Sequence, residues 1–205
     1  MPKAKIGDQW IALLSGGKFN YNRPEDSNVT IEDIASALSN VCRFSGHLPQ
    51  FYSVAQHLVN TSRIVPVEHS FDALMHDTAE AFTNDLPTPL KWALPIFKEL
   101  ETKIESAMAD KFGFSHPYHP CVKEADTHML ILEKIYVKED TSVWPLYEKW
   151  TPEVVEPYRQ LVDLRGWQPV RAKREFLERF HELKGLGNEK AQLNSERPFY
   201  AKIQA

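Results

Sequence analysis

Residues 75–91 read MHDTAEAFTNDLPTPLK and gather His76, Asp77, Glu80 and Asp85 within ten positions, with Lys91 close behind. On one helix, His76 and Glu80 stand four apart and Asp77 and Glu80 three apart, so the three side chains share a face. Adjacent His and Asp diverge by about 100° around the axis, wide enough to approach one ion from two directions. Imidazole plus carboxylate suits Mn, Co, Zn or Fe, whereas calcium and magnesium sites are normally all oxygen. Two ligands hold an ion weakly, so others must arrive from elsewhere. His57, in FYSVAQHL, and Asp126, in the middle of VKEADTHMLILEKIYV, are the candidates. Taken singly, each has a plainer reading: a hydrogen-bonded core imidazole, or a carboxylate turned to water. Their order, H…HD…D on three successive helices with a Glu one turn after the HD, gives the set its weight.

The elements that must position these groups are helical. TIEDIASALSNVC carries Thr30 and Asp33 at near capping-box spacing, followed by Ile31, Ile34, Leu38 and Val41 at helical intervals. RFSGHLPQ breaks the pattern, and a second helix is expected from about Ser53, with Val54, His57 and Leu58. A third is expected over 70–82, with Ser70 as its N-cap. NDLPTPLK is a turn, because neither Pro87 nor Pro89 fits a helix interior. Further helices are expected over about 90–112, 118–139, 152–164 and 168–184. The last carries an apolar stripe of Phe176, Leu177, Phe180 and Leu183, and a favourable Glu175–Arg179 pair.

Residues 1–29 read as a loop-rich segment with one short strand or turn, 30–185 as the helical domain and 186–205 as a polar tail, loose or docked on a neighbour. SGGK lacks the spacing of a phosphate-binding P-loop. HPYHPC offers His116, His119 and Cys121 as zinc ligands, but two prolines favour a helix-entry loop. No convincing alternating strands appear, and the fold class expected is all-α.

At 205 residues the chain is long enough for one well-buried core. Its formal net charge of -4 gives no global basic field, which argues against a nucleic-acid partner. Cys42 and Cys121 make no disulfide framework. No apolar run reaches membrane-spanning length and the start MPKAKIGDQW has no signal-peptide core, so no membrane partner and a reducing, cytoplasmic setting are expected.

With IEDIASALSNVCRFSGH, FYSVAQH, HDTAEAFTNDLPTPLK, KEAD and, more weakly, AKREFLERF in view, the chain resembles the HD-domain phosphohydrolases over most of its length. HDxxE followed by DLPTPxK is especially similar to the 5′-deoxynucleotidase branch, which includes phage enzymes that strip triphosphate from dATP. The resemblance implies a single helical bundle with one divalent metal between its core helices, Co, Mn or Zn, held by His57, His76, Asp77 and Asp126. It implies that Glu80 and Asp85 work beside the metal, that Arg43 contacts phosphate and that Phe44 lines a nucleoside pocket. It also implies a homo-oligomer.

The chemistry suits such residues, because phosphate-ester cleavage is mostly positioning and charge neutralisation. Arg43, Lys91 and Lys123 would supply cationic contacts, the arginine by a bidentate fork and the lysines as point charges, although either lysine also reads as a solvated surface charge. Gly46 either admits the base closely or turns the chain. The expected substrate is a small deoxynucleotide, cleaved at its 5′ phosphoester to release a nucleoside with either phosphate or triphosphate. Which of Glu80 and Asp85 is base and which is acid stays open, as do base preference and phosphate number. The alternative is an HD scaffold kept as a nucleotide-binding or sensing module.

Overall fold

The computed structural model describes residues 9–189. Helix α1 (Ile31–Asn40) starts at the expected capping box: the Thr30 side chain accepts from the Asp33 amide while the Asp33 carboxylate accepts from the Thr30 amide. It buries Ile31, Ile34 and Leu38 against α2 (Val54–Thr61) and α9 (Pro169–Glu189). Ser53 caps α2 by accepting from the Gln56 amide. Every residue of α2 is buried, so its polar side chains need internal partners. Gln56 donates to the carbonyls of Asp163 and Arg165 and accepts from the Trp167 amide; Asn60 donates to the Tyr52 hydroxyl and the Asp163 carbonyl. These bonds moor the 163–167 loop to the core and set His57 at the centre of the molecule.

The expected 70–82 helix is broken. α3 (Ser70–Met75) and α4 (Glu80–Thr83) flank a turn over 76–79. The Tyr118 hydroxyl donates to the His76 carbonyl at 2.8 Å, and the amides of Thr78, Glu80, Ala81 and Phe82 each reach back three residues rather than four. The chain tightens there, and His76, Asp77 and Glu80 no longer share one regular helical face. Ser70 is the first helical residue rather than the cap, a place taken by His69 without a side-chain bond.

The expected 90–112 helix is also two pieces, α5 (Thr88–Ala93) and α6 (Pro95–Phe112). They part at Leu94, whose backbone Pro95 keeps out of the helical region. α7 (Pro120–Tyr136) follows a helix-entry loop, as expected of HPYHPC, with His119 as its N-cap. Of the expected 152–164 helix only α8 (Pro152–Val155) is α-helical; a 3-10 stretch, Glu156–Leu161, opens with Pro157 and replaces the rest. In α9, Phe176, Phe180 and Leu183 are buried and Leu177 half-buried, as the stripe requires. The Glu175–Arg179 pair does not form. Glu175 pairs with Arg171 and Arg174, while Arg179 bonds Ser62 and Glu182, because the end of α2 offers it buried oxygen acceptors. The expected tail begins inside this helix, which runs to Glu189; its remainder lies outside the described residues.

The N-terminal segment is an antiparallel hairpin rather than loop with one strand: β1 (Trp10–Ala12) pairs with β2 (Lys18–Asn20). Three-residue strands are too short to show alternation in sequence. Phe19 is fully buried and stacks flat on Phe82, centroids 3.8 Å apart, and the Tyr21 hydroxyl donates to the Phe82 carbonyl at 2.6 Å.

The fold is all-α apart from this ribbon, the one sheet among the described residues. Among those residues no helix is long and apolar enough to cross a membrane. One apolar cluster joins α1, α2, α3, α6, α9 and Phe19; a second joins Tyr52, the α7 face and residues 155–164. α2, α3 and α7 contact one another pairwise, and the turn that ends α3 brings His76 and Asp77 into their junction.

Candidate metal centre

His57 comes from the middle of α2, His76 and Asp77 from the turn after α3, and Asp126 from the second turn of α7. One donor atom from each lies within 4.8 Å of all the others. Asp126 Oδ1 is 3.3 Å from His57 Nε2 and 3.8 Å from His76 Nε2; Asp77 Oδ2 is 3.3 Å from His76 Nε2 and 3.9 Å from His57 Nε2.

The opposite edge of each imidazole is fixed. His57 Nδ1 meets Glu133 Oε1 at 2.8 Å and His76 Nδ1 meets the Ala73 carbonyl at 2.8 Å. A carboxylate and a carbonyl only accept, so both Nδ1 atoms carry hydrogen and both Nε2 lone pairs face the acids. This orientation by an outer partner is the one that histidine ligands of metals share. His76 Nε2 is buried with no hydrogen-bond partner among the described residues. Such an orphan is costly unless a cation completes it. Burial works against a charge on either ring, yet Asp77 and Asp126 push the His76 pKa well up, and Glu133 and Asp126 raise that of His57. Those acids attract positive charge to the Nε2 edges, and a divalent ion would take the place of the protons. The four residues fit a borderline transition ion with two nitrogen and two oxygen donors.

A cavity of about 500 Å³ opens beside the centre. Its lining includes Asp77 and Asp126 together with Arg43, Phe44, Glu80, Asp85, Lys91 and Lys123, so the residues singled out in sequence converge. Gly46 does not line it. Gly46 has φ 78° and open space around a would-be Cβ, which assigns it the chain turn rather than close approach to a ligand. The two residues before it, Phe44 and Ser45, also hold left-handed φ of 55° and 52°. That strain turns the Phe44 backbone at the cavity's edge.

Glu80 Oε2 is buried without a hydrogen-bond partner among the described residues, and Oε1 is 3.5 Å from Lys91 Nζ. Burial first, then Asp77 and Asp85, pushes the Glu80 pKa well above the carboxylate range, against Lys91 and Arg43. Burial also raises Asp85, which lies 3.8 Å from Arg43 Nη1. Lys91 donates to Glu101 at 2.7 Å, and Lys123, largely exposed, donates to Asp126 Oδ2 at 2.6 Å.

One turn beyond Glu101, burial pushes Glu105 up from 4.5 to about 7, aided by Glu101 and Asp77. The folded protein thus keeps a proton there that the unfolded chain has already lost. Stability attributable to this group falls as pH rises from about 4.5 to about 7, and the deficit is complete above that. Glu105→Gln is expected to stabilise the protein by about 1–3 kcal/mol near pH 8 and to change little near pH 4. Urea denaturation at both pH values checks it; equal effects at the two would remove the titration from the account.

YfdR, an uncharacterized protein of Escherichia coli strain K12, is 40% identical over 178 residues, which are 86% of this chain and 97% of that protein. The chain belongs to the YfdR family. An uncharacterized protein of Rhodobacter capsulatus is 30% identical over 138 residues, 60% of this chain and 70% of its own. No family model matches the chain.

In this member of the YfdR family the geometry also brings in groups that sequence reasoning passed over. Glu133, fully buried, accepts from Arg43 Nε through Oε2 and from His57 Nδ1 through Oε1, each at 2.8 Å. It ties a metal-ligand candidate to the cavity's arginine. The sequence signal was present: an acid seven residues after Asp126, hence on the same face, inside the apolar run MLILEKIYV. Leu130, Trp144, Leu146 and Tyr147 complete the far wall, Trp144 standing edge-on to Phe44 at 6.4 Å. The stretch that carries Trp144, Leu146 and Tyr147, DTSVWPLYEKW, has no periodicity to flag it. Glu133→Gln is expected to weaken metal affinity roughly 10–100-fold and to lower stability by about 3 kcal/mol through the uncompensated Arg43. Metal titration and denaturant unfolding read the two effects; unchanged affinity would leave Glu133 a purely structural residue.

Proposed function

We propose that this protein is a metal-dependent phosphohydrolase of the HD-domain type, acting on the 5′ phosphoester of a small deoxynucleotide. The observation that carries the reading is the meeting of two Nε2 lone pairs and two carboxylates at the edge of a cavity that also holds Arg43, Lys91, Glu80 and Asp85. A cavity of this volume suits a small ligand rather than a macromolecule. Its mix of aromatic wall and cationic floor suits a nucleotide.

His57, His76, Asp77 and Asp126 would hold a divalent ion, which would supply Lewis acidity for a phosphoryl oxygen and a neighbouring water. The protein's own groups do the rest. Arg43, oriented through Nε by Glu133, presents its terminal nitrogens to phosphate oxygens. Lys91 neutralises a further oxygen and Lys123 stands at the mouth. Phe44 and Trp144 bound the space for the nucleoside. Water oxygen bonds to phosphorus as the bond from phosphorus to the sugar 5′-oxygen breaks. Glu80, which shares the cavity wall with Asp77, takes the water proton. Asp85, within reach of Arg43, returns a proton to the leaving oxygen.

The test is product analysis by chromatography. The purified protein, loaded with Co²⁺ or Mn²⁺, is given dAMP, dATP, dGTP and their ribose counterparts in parallel. Deoxyadenosine with triphosphate from dATP alone would identify a triphosphohydrolase, and phosphate from several monophosphates a general deoxynucleotidase. No turnover of any of them, with metal bound, would overturn the proposal in favour of a nucleotide-binding module.

A further inference from the structure

The HPYHPC loop contains a cluster that the proposed reaction does not use. His119 is the N-cap of α7 and Cys121 lies in its first turn, while His69 ends the short 3-10 turn that runs into α3. Donor atoms of His69, His119 and Cys121 lie within 4.8 Å of one another. His119 Nδ1 is 3.1 Å from Cys121 Sγ, and the His69 and His119 rings stack at 4.3 Å. Asp72 Oδ2 is 4.0 Å from His69 Nδ1, so a carboxylate stands at the cluster's edge.

We infer that His69, His119 and Cys121 form a second cation site, for a zinc-class ion, that clamps the start of α3 to the start of α7. One sulfur and two imidazoles are the donor set of borderline and soft ions, and they exclude calcium and magnesium. A tetrahedral ion with bonds of about 2.1 Å to nitrogen and about 2.3 Å to sulfur holds its donors roughly 3.3–3.6 Å apart. The exposed His119 ring turns out of its stack to meet that geometry. Asp72 or a water takes the fourth position.

The surroundings favour a cation. Glu68, Glu124 and Asp72 place negative charge around Cys121, and the ion binds the sulfur as thiolate. The position also has a use. α3 leads from His69 to His76 and Asp77, and α7 leads from Cys121 to Asp126, so an ion here fixes the spacing between the segments that carry three ligands of the first centre.

Cobalt spectroscopy on the full chain tests the site, because the first centre contains no sulfur. Cobalt-loaded protein is expected to show a thiolate-to-cobalt charge-transfer band in the near ultraviolet, quenched when zinc is added. Cys121→Ser should abolish the band and remove one equivalent of bound metal, and Cys42→Ser should leave both. His119→Ala, a change at an exposed ring, provides a second variant, expected to lose the band with its fold intact. Asp77→Ala should keep the band while the first centre is lost. Absence of the band in cobalt-loaded wild-type protein, its survival in Cys121→Ser, or its loss in Asp77→Ala would each overturn the site.

Discussion

Asp77→Ala is expected to strip the protein of the ion of its first centre and of turnover together. Its carboxylate is one of four donors and approaches both imidazoles. Its charge also answers that of the ion, since the paired His76 imidazole holds Asp77 well below the usual carboxylate range despite burial. Removing it leaves three donors and one negative charge against a doubly charged ion. If Lewis acidity is worth several kcal/mol at the phosphoryl centre, the expected loss is about 10³-fold or more in kcat. The side chain borders a cavity rather than filling a packed core, so far-ultraviolet circular dichroism should be unchanged. Titration by a metal-sensitive dye separates the outcomes. A variant that bound the ion as tightly as wild type would sink the ligand assignment, whatever its activity.

Glu80→Gln gives the contrasting pattern: metal retained, turnover lost. Glutamine keeps the shape and the hydrogen-bonding ability towards Lys91 but cannot take a proton. The cost is the worth of a positioned general base, about 10²–10⁴ in kcat. KM should move little, because no binding contact to phosphate is removed. Stability should rise slightly at neutral pH, since a buried carboxyl with an unpartnered oxygen is replaced by a neutral amide. Full activity in Glu80→Gln would move the base elsewhere, with Asp85 the next residue to change. Read side by side, the two variants distinguish a group that holds the ion from one that handles the proton.

Several parts of this arrangement were legible from residue order. The capping box at Thr30, the start of α2 near Ser53 and the stripe of α9 are local features, written in four or five neighbouring residues, and the structure has them where the pattern puts them. The set His57, His76, Asp77 and Asp126 was legible as a set because ligand types at long spacing on successive helices carry their own signal. The break between α3 and α4 was not. No glycine or proline marks residues 76–79; the tightening accompanies the hydroxyl of Tyr118, 42 positions away, taking the His76 carbonyl out of the helical ladder. Glu133 shows the converse case, a local anomaly whose meaning lies in two distant partners, Arg43 and His57. Gly46 was ambiguous because a glycine that turns the chain and one that admits a ligand look alike until the space around them is known.

The hairpin bears on how Glu80 is held. α4 is only four residues long, too short to be stable on its own hydrogen bonds. Much of its order is borrowed from outside: Phe19 lies flat on Phe82, Tyr21 grips the carbonyl of that same residue, and Ser15 anchors the ribbon through Asp33 at the start of α1. Amide exchange should therefore report the ribbon and α4 opening as one unit, separately from the helices of the main core. A protease cut in the ribbon, or a deletion of the first two dozen residues as dispensable leader, would leave the ligands in place yet set the carboxylate adrift.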